Sequence, residues 1–136
     1  MPERLWRKPY RSYRKHPNYK ELDIFVQQLC AEHKPELVLL FGSGARGDYT
    51  EESDLDVLVV FDKLKENTWQ EVYKHSQGSV LPIVCSKERL VQELKTDNDF
   101  LRTVIKEGIF LAGDRNFWEG LRKEFKRECS RYEYSG

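Results

Sequence analysis

Two short groups of residues carry the chemistry legible in this chain. Gly42-Ser43-Gly44-Ala45-Arg46-Gly47 is glycine-rich with one fixed cation, and Asp54 and Asp56 flank Leu55 shortly after it. Glycine lets a backbone turn sharply and leaves room for a ligand to approach. Free amides at the start of a helical turn attract phosphate oxygens, and the forked guanidinium of Arg46 suits the same anion. Side chains at i and i+2 on a strand share a face, roughly 6.5 Å apart along the chain. Asp54 and Asp56 therefore point the same way. Paired carboxylate oxygens suit Mg²⁺, which also takes water and substrate phosphates. A phosphate cradle beside a metal site is the equipment of phosphoryl transfer, which needs mainly positioning and charge neutralisation.

Either group alone is commonplace, because Gly, Ser and Asp serve turns throughout proteins. The combination Gly-Ser, ten residues, Asp-x-Asp is different. It arises by chance on the order of once in several hundred chains of this length.

The elements that position these residues follow from the apolar pattern. Glu36–Phe41, bounded by Pro35 and Gly42, predicts a buried strand, and Leu55–Phe61 predicts a second. Gly42–Ser53 between them predicts a polar loop with one helical turn. Upstream, Asn18 is placed to cap a helix whose apolar face is Leu22, Phe25, Val26, Leu29 and Cys30. Downstream, Thr68 opens a helix to about Gln77 with Trp69, Val72 and Tyr73 on one face. Ser79–Cys85 predicts a third strand, at an edge because Pro82 interrupts it. Ser86 caps a helix carrying Leu90, Val91 and Leu94. Another runs from about Asn98 with Leu101, Val104 and Ile105, and Gly108 is placed to end it as a C-terminal glycine. Ile109–Ala112 predicts a short last strand. A helix over 115–133 sets Trp118, Leu121 and Phe125 on one side, to pack on the domain or a partner rather than on a ligand. Alternating helices and short strands predict an α/β domain.

Composition narrows the function classes. With 39% apolar and 34% charged residues in 136, the chain is polar for a globular protein yet too apolar for a disordered one. Net charge is zero but uneven: six cations stand against Glu3 in residues 1–16, which makes that stretch +5. Residues 1–17 read as an irregular basic arm. Arg11, Arg14 and Lys15 interleaved with Tyr10 and Tyr13 could touch RNA, but a solvated, disordered arm is favoured, because short basic runs are common. The three cysteines, Cys30, Cys85 and Cys129, have neither disulfide nor zinc-ligand spacing. His16, His33 and His75 stand isolated in sequence. No signal peptide and no membrane span is legible, so a cytosolic protein is expected.

The motif resembles that of the minimal nucleotidyltransferases of the DNA polymerase β-like superfamily, whose signature is Gly-Ser, ten residues, Asp-x-Asp. Gly42, Ser43, Asp54 and Asp56 match it in register, and Phe41, Ala45, Arg46, Gly47, Ser53 and Leu55 match its usual flanks. The likeness runs from about Leu22 to Gly113, including Glu107-Gly108. It implies a domain over 18–113, with the arm 1–17 before it and a helical extension 114–136 after it. It also implies a two-layer fold with a small mixed sheet and helices mainly on one face. Gly42, Ser43, Gly44 and Arg46 would contact a nucleoside triphosphate, ATP above all, and Asp54 and Asp56 would hold Mg²⁺ and serve catalysis.

The resemblance further implies transfer of AMP to a hydroxyl of a protein acceptor. Small stand-alone members often pair with a HEPN-type toxin, which would make this chain an antitoxin acting on a tyrosine of that toxin. One departure stands out. The family usually sets a third carboxylate on the next strand, in a segment like Val-Asp-Leu-Val. Here Leu81-Pro82-Ile83-Val84 corresponds, with Pro82 expected where the aspartate would be. Asp62 lies roughly 20 Å along the strand from Asp56 and cannot replace it; Asp48, Glu51 or Glu52 are the remaining acids nearby. A degenerate domain that binds nucleotide or partner without transfer is the alternative. Transfer to a small molecule ranks last, for want of a second domain to form an acceptor pocket.

Overall fold

A computed structural model describes residues 11–76, 78–96 and 98–135, without the side chains of 126–135. After a 3-10 turn at Tyr13–Lys15 the order is α1 (Tyr19–His33), β1 (Leu37–Phe41), α2 (Ser43–Arg46), β2 (Leu55–Phe61), α3 (Thr68–Ser76), β3 (Val80–Ser86), α4 (Lys87–Lys95), α5 (Asp99–Glu107), β4 (Ile109–Gly113) and α6 (Arg115–Ser135). The strands form one mixed sheet in the order β3-β2-β1-β4. β1 runs antiparallel to β2 and to β4, while β2 and β3 are parallel.

The caps are largely those the sequence dictates. Ser86 accepts from the Arg89 amide and Asn98 from the Leu101 amide, the N-terminal bonds expected of these residue types. Asn18 precedes α1 without a side-chain cap bond. Instead its amide donates to His16 Nδ1 at 2.9 Å. Gly108 ends α5, but in extended geometry (φ −62°) rather than the left-handed turn of a usual C-terminal glycine. Its smallness is needed for space, since a Cβ there would lie 2.5 Å from the Val104 carbonyl.

The mixed α/β sheet agrees with expectation, but the helices do not keep to one face. Leu37, Leu39, Leu58 and Val60 pack with α4, α5 and α6, while Val38, Leu40, Val57 and Val59 pack with α1 and α3. The reason is in the strands: every residue of β1 is buried, and a strand apolar at each position needs cover on both sides. Trp118, Leu121 and Phe125 of α6 join the first of these cores, so this helix packs on the domain. In α3 only Val72 of the expected apolar trio goes inward. Trp69 and Tyr73 stay exposed and stack on each other at 5.1 Å.

Residues 11–17 of the basic arm are not loose. His16 is buried, its ring 4.6 Å from that of Tyr49. Arg11 donates to the Tyr49 carbonyl at 2.8 Å and lies over the Tyr49 ring, and the Tyr49 hydroxyl donates to the Ser12 carbonyl. The arm thus clamps the loop between β1 and β2. Residues 1–10, including Tyr10, lie outside the described residues.

Candidate active site

Antiparallel pairing puts the end of β1 beside the start of β2, with Phe41 opposite Asp56. The chain leaves Phe41 through Gly42, whose φ of 73° and ψ of −154° fall in a region essentially restricted to glycine. A Cβ added there would sit 2.7 Å from Asp56 Oδ2. Gly42 therefore brings the backbone against the carboxylate, and Ser43 is one residue, roughly 3.8 Å, further on. Within α2 the amides of Ala45, Arg46 and Gly47 bond back to the Gly42 and Ser43 carbonyls. Those of Ser43 and Gly44 fall outside this ladder, as the first amides of a helical turn do. Gly44 is buried for packing reasons as well, because a Cβ would meet Leu55 Cδ2 at 2.6 Å.

The loop is closed locally before the carboxylates. Thr50 and Ser53 form a turn in which the Ser53 hydroxyl accepts from the Thr50 amide at 3.0 Å. Asp54 then emerges exposed and Asp56 half-buried. Burial, and next the charge of Asp54, push the Asp56 carboxyl above its ordinary value, with Arg46 opposing. Arg46 itself is engaged by two acids, its Nε with Asp48 and its Nη1 with Glu107, both at 3.3 Å. Its guanidinium is anchored to the loop and to the end of α5 rather than freely extended. Asp48, one of the acids weighed as a replacement third carboxylate, is committed to this pair.

The pairing of β2 with β3 corrects the expectation for Pro82. Asp56 lies beside Leu81, and Pro82 lies beside Val57. Leu81 and Ile83 are exposed, whereas Val80, Pro82 and Val84 point into the core beneath α1 and α3. The place for a carboxylate next to Asp56 is therefore Leu81. A shift of one residue reverses the face of every side chain on a strand, and the sequence alone did not fix that shift.

Sequence reasoning also missed an open groove of about 320 Å³ on the Asp56 face of the sheet, lined by Leu58, Ile83, Cys85, Leu90, Phe100 and Leu101 among others. Leu58 follows Asp56 by two residues and so shares its face. Phe100 is half-exposed over the groove and meets Phe41 edge to face at 5.6 Å. The Cys85 thiol in its wall is pushed up to about 11, chiefly by burial, so it is no nucleophile at neutral pH. The hint in the sequence was an acid-poor, apolar third strand next to an aromatic residue at the start of α5. The roles of Tyr49 and Glu107 as anchors left no local signal.

Comparison with known proteins agrees with this geometry. A candidate protein adenylyltransferase of Methanocaldococcus jannaschii is 36% identical over 95 residues, covering 65% of this chain and 92% of its own. A second from the same organism is 32% identical over 78 residues, covering 57% of this chain and 77% of its own. The crystal structure of a candidate nucleotidyltransferase from Sulfolobus solfataricus superposes with a TM-score of 0.52 at 26% identity, over 71% of this chain and 80% of that one. The nucleotidyltransferase domain model matches residues 22–111, which contain the Gly-Ser turn, both aspartates, the first three strands and the start of β4. This chain belongs to the nucleotidyltransferase domain family.

Proposed function

We propose that this nucleotidyltransferase moves AMP from ATP, with Mg²⁺, onto a hydroxyl of a protein acceptor, and that the acceptor is a tyrosine of a HEPN-type toxin. The observation that carries the nucleotide site is the approach of Gly42 to Asp56 Oδ2, which sets the Ser43 and Gly44 amides beside the carboxylates. The donor set fits the ion: Asp54 and Asp56 offer oxygen ligands, and Asp56 ionises only against burial and its neighbour's charge, a cost that a cation offsets. Bound there, Mg²⁺ would neutralise charge on the transferred phosphoryl group and on departing pyrophosphate. The amides of Ser43 and Gly44 hold phosphate oxygens, and Arg46, anchored between Asp48 and Glu107, adds positive field at the same end of the sheet. The acceptor oxygen attacks the α-phosphorus, the bond to pyrophosphate breaks, and the hydroxyl proton leaves to a base. The groove lined by Leu58 and Phe100, with a volume of about 320 Å³, supports this reading by offering space for an aromatic acceptor side chain. The names of the two archaeal relatives support a protein acceptor; the toxin rests on the resemblance to minimal nucleotidyltransferases.

The test is incubation of the chain with labelled ATP, Mg²⁺ and the partner encoded beside it. Label should enter a tyrosine of the partner, and Asp54→Asn with Asp56→Asn should abolish it. Equal labelling by the double variant would move the active site elsewhere. The second reading, a domain that binds without transfer, is favoured by Leu81 at the position where a third carboxylate would stand. Nucleotide binding with no transfer, even to the correct partner, would establish it.

A further inference from the structure

The face of the sheet opposite the aspartates carries a cluster that the nucleotidyl chemistry does not use. α1 and α3 pack side by side there, each with a histidine in its last turn: His33 is the last residue of α1, and His75 is next to last in α3. Among the described residues, His33, His75 and Glu32 each place one ligand atom within 4.8 Å of the others. His75 Nε2 lies 2.6 Å from Glu32 Oε2, and His33 Nε2 lies 3.8 Å from the same oxygen. A second carboxylate approaches from α3, with Glu71 Oε2 3.5 Å from His33 Nδ1. The imidazoles are mostly shielded, at 20% and 12% exposure, while the carboxylates are freer, at 59% and 44%. The His33 ring is braced edge-on by Phe61 at 6.5 Å. The two histidines and two glutamates border a recess of about 290 Å³ that Lys74 also lines.

We propose that this cluster is a zinc site that fastens the C-terminal end of α1 to that of α3, with His33, His75 and Glu32 as ligands and Glu71 or water as the fourth. Two imidazole nitrogens with one or two carboxylates form a donor set typical of Zn²⁺. Tetrahedral ligation at about 2.0–2.2 Å from the metal places ligand atoms roughly 3.3 Å apart. The present spacings bracket that value, and the exposed Glu32 and Glu71 have the freedom to adjust. Both helices direct their C-terminal ends at the site, where the backbone dipole favours a cation. Mg²⁺, which prefers oxygen ligands in an octahedron, does not suit it. Without metal, the same atoms stand as close polar contacts, His75 Nε2 against Glu32 and His33 between two acids.

The test uses the full chain carrying Asp54→Asn and Asp56→Asn, so that the nucleotide site takes no metal, after treatment with chelator. One equivalent of Zn²⁺ should bind by calorimetry and raise Tm by several degrees, Mg²⁺ should do neither, and Co²⁺ should give the visible absorption of a tetrahedral site. His75→Ala, and separately His33→Gln, should lower Zn²⁺ affinity at least tenfold. The comparison is the metal-induced shift within each variant, so a lower starting Tm does not obscure it. Absence of a Zn²⁺ shift in the parent, or an equal shift in both histidine variants, would overturn the proposal and leave a cluster of polar contacts only.

Discussion

Replacing Gly42 by alanine tests the close approach on which the nucleotide site depends. Two separable penalties are expected. The φ of 73° and ψ of −154° are nearly closed to a residue with a Cβ, which costs about 1–3 kcal/mol. The new methyl would also lie 2.7 Å from Asp56 Oδ2, too close for a carbon and an oxygen, and contacting pairs couple by about 0.5–3 kcal/mol. Together they should lower stability by about 2–4 kcal/mol, which in a domain of this size is roughly 8–16 °C of Tm. Thermal melts of the single variants and of Gly42→Ala with Asp56→Ala separate the terms. Shortening residue 56 removes the contact and leaves the backbone cost, so Gly42→Ala should be less damaging in the Asp56→Ala background by about 0.5 kcal/mol or more. Gly42→Ala should also displace the Asp56 carboxylate and weaken Mg²⁺-dependent ATP binding. A single variant melting within about 2 °C of the parent, or a double variant whose effects simply add, would refute the placement of Gly42 against Asp56.

Three further outcomes follow from particular residues. Leu81→Asp should set a third carboxylate beside Asp56 and raise labelled AMP transfer, whereas Pro82→Asp, aimed into the core under α1 and α3, should destabilise the fold without that gain; the reverse order would show that β3 is paired out of register. Asp56→Asn should raise Tm slightly at neutral pH in chelator, because the folded state ionises Asp56 at a cost. That cost is present above its raised pKa and disappears as pH falls toward 3.8 and below, so the gain should vanish in acid; a gain that persists there would come from another cause. His16 is held below its ordinary 6.5, first by burial, so its contribution is complete above that pH and is lost as pH falls through 6.5 toward its folded value. Stability against urea should decline over that window, and His16→Gln should flatten the slope; an unchanged slope would place the acid sensitivity elsewhere.

Local pattern alone specified the strand that ends at Phe41, the polar turn from Gly42 and the strand that begins at Leu55, because continuous apolar runs bounded by proline and glycine admit few other conformations. It specified the Ser86 and Asn98 caps, whose side chains satisfy amides within three residues. It also led Asp54 and Asp56 to be expected on one face, since strand periodicity needs no tertiary information. The remaining features depend on partners distant in sequence. Strand register is set by packing, and a displacement of one residue separates Leu81 beside Asp56 from Pro82 in the core. Cover on both faces of the sheet depends on where α1 and α3 return, although the unbroken apolar run of β1 already required it. Nothing near Trp69 and Tyr73 distinguishes them from Val72, because helical spacing names a face without saying how much of it a neighbour covers. The arm is fixed by Tyr49, more than thirty residues away. His33 and His75, isolated in sequence, meet only because two helices end together on the same side of the sheet.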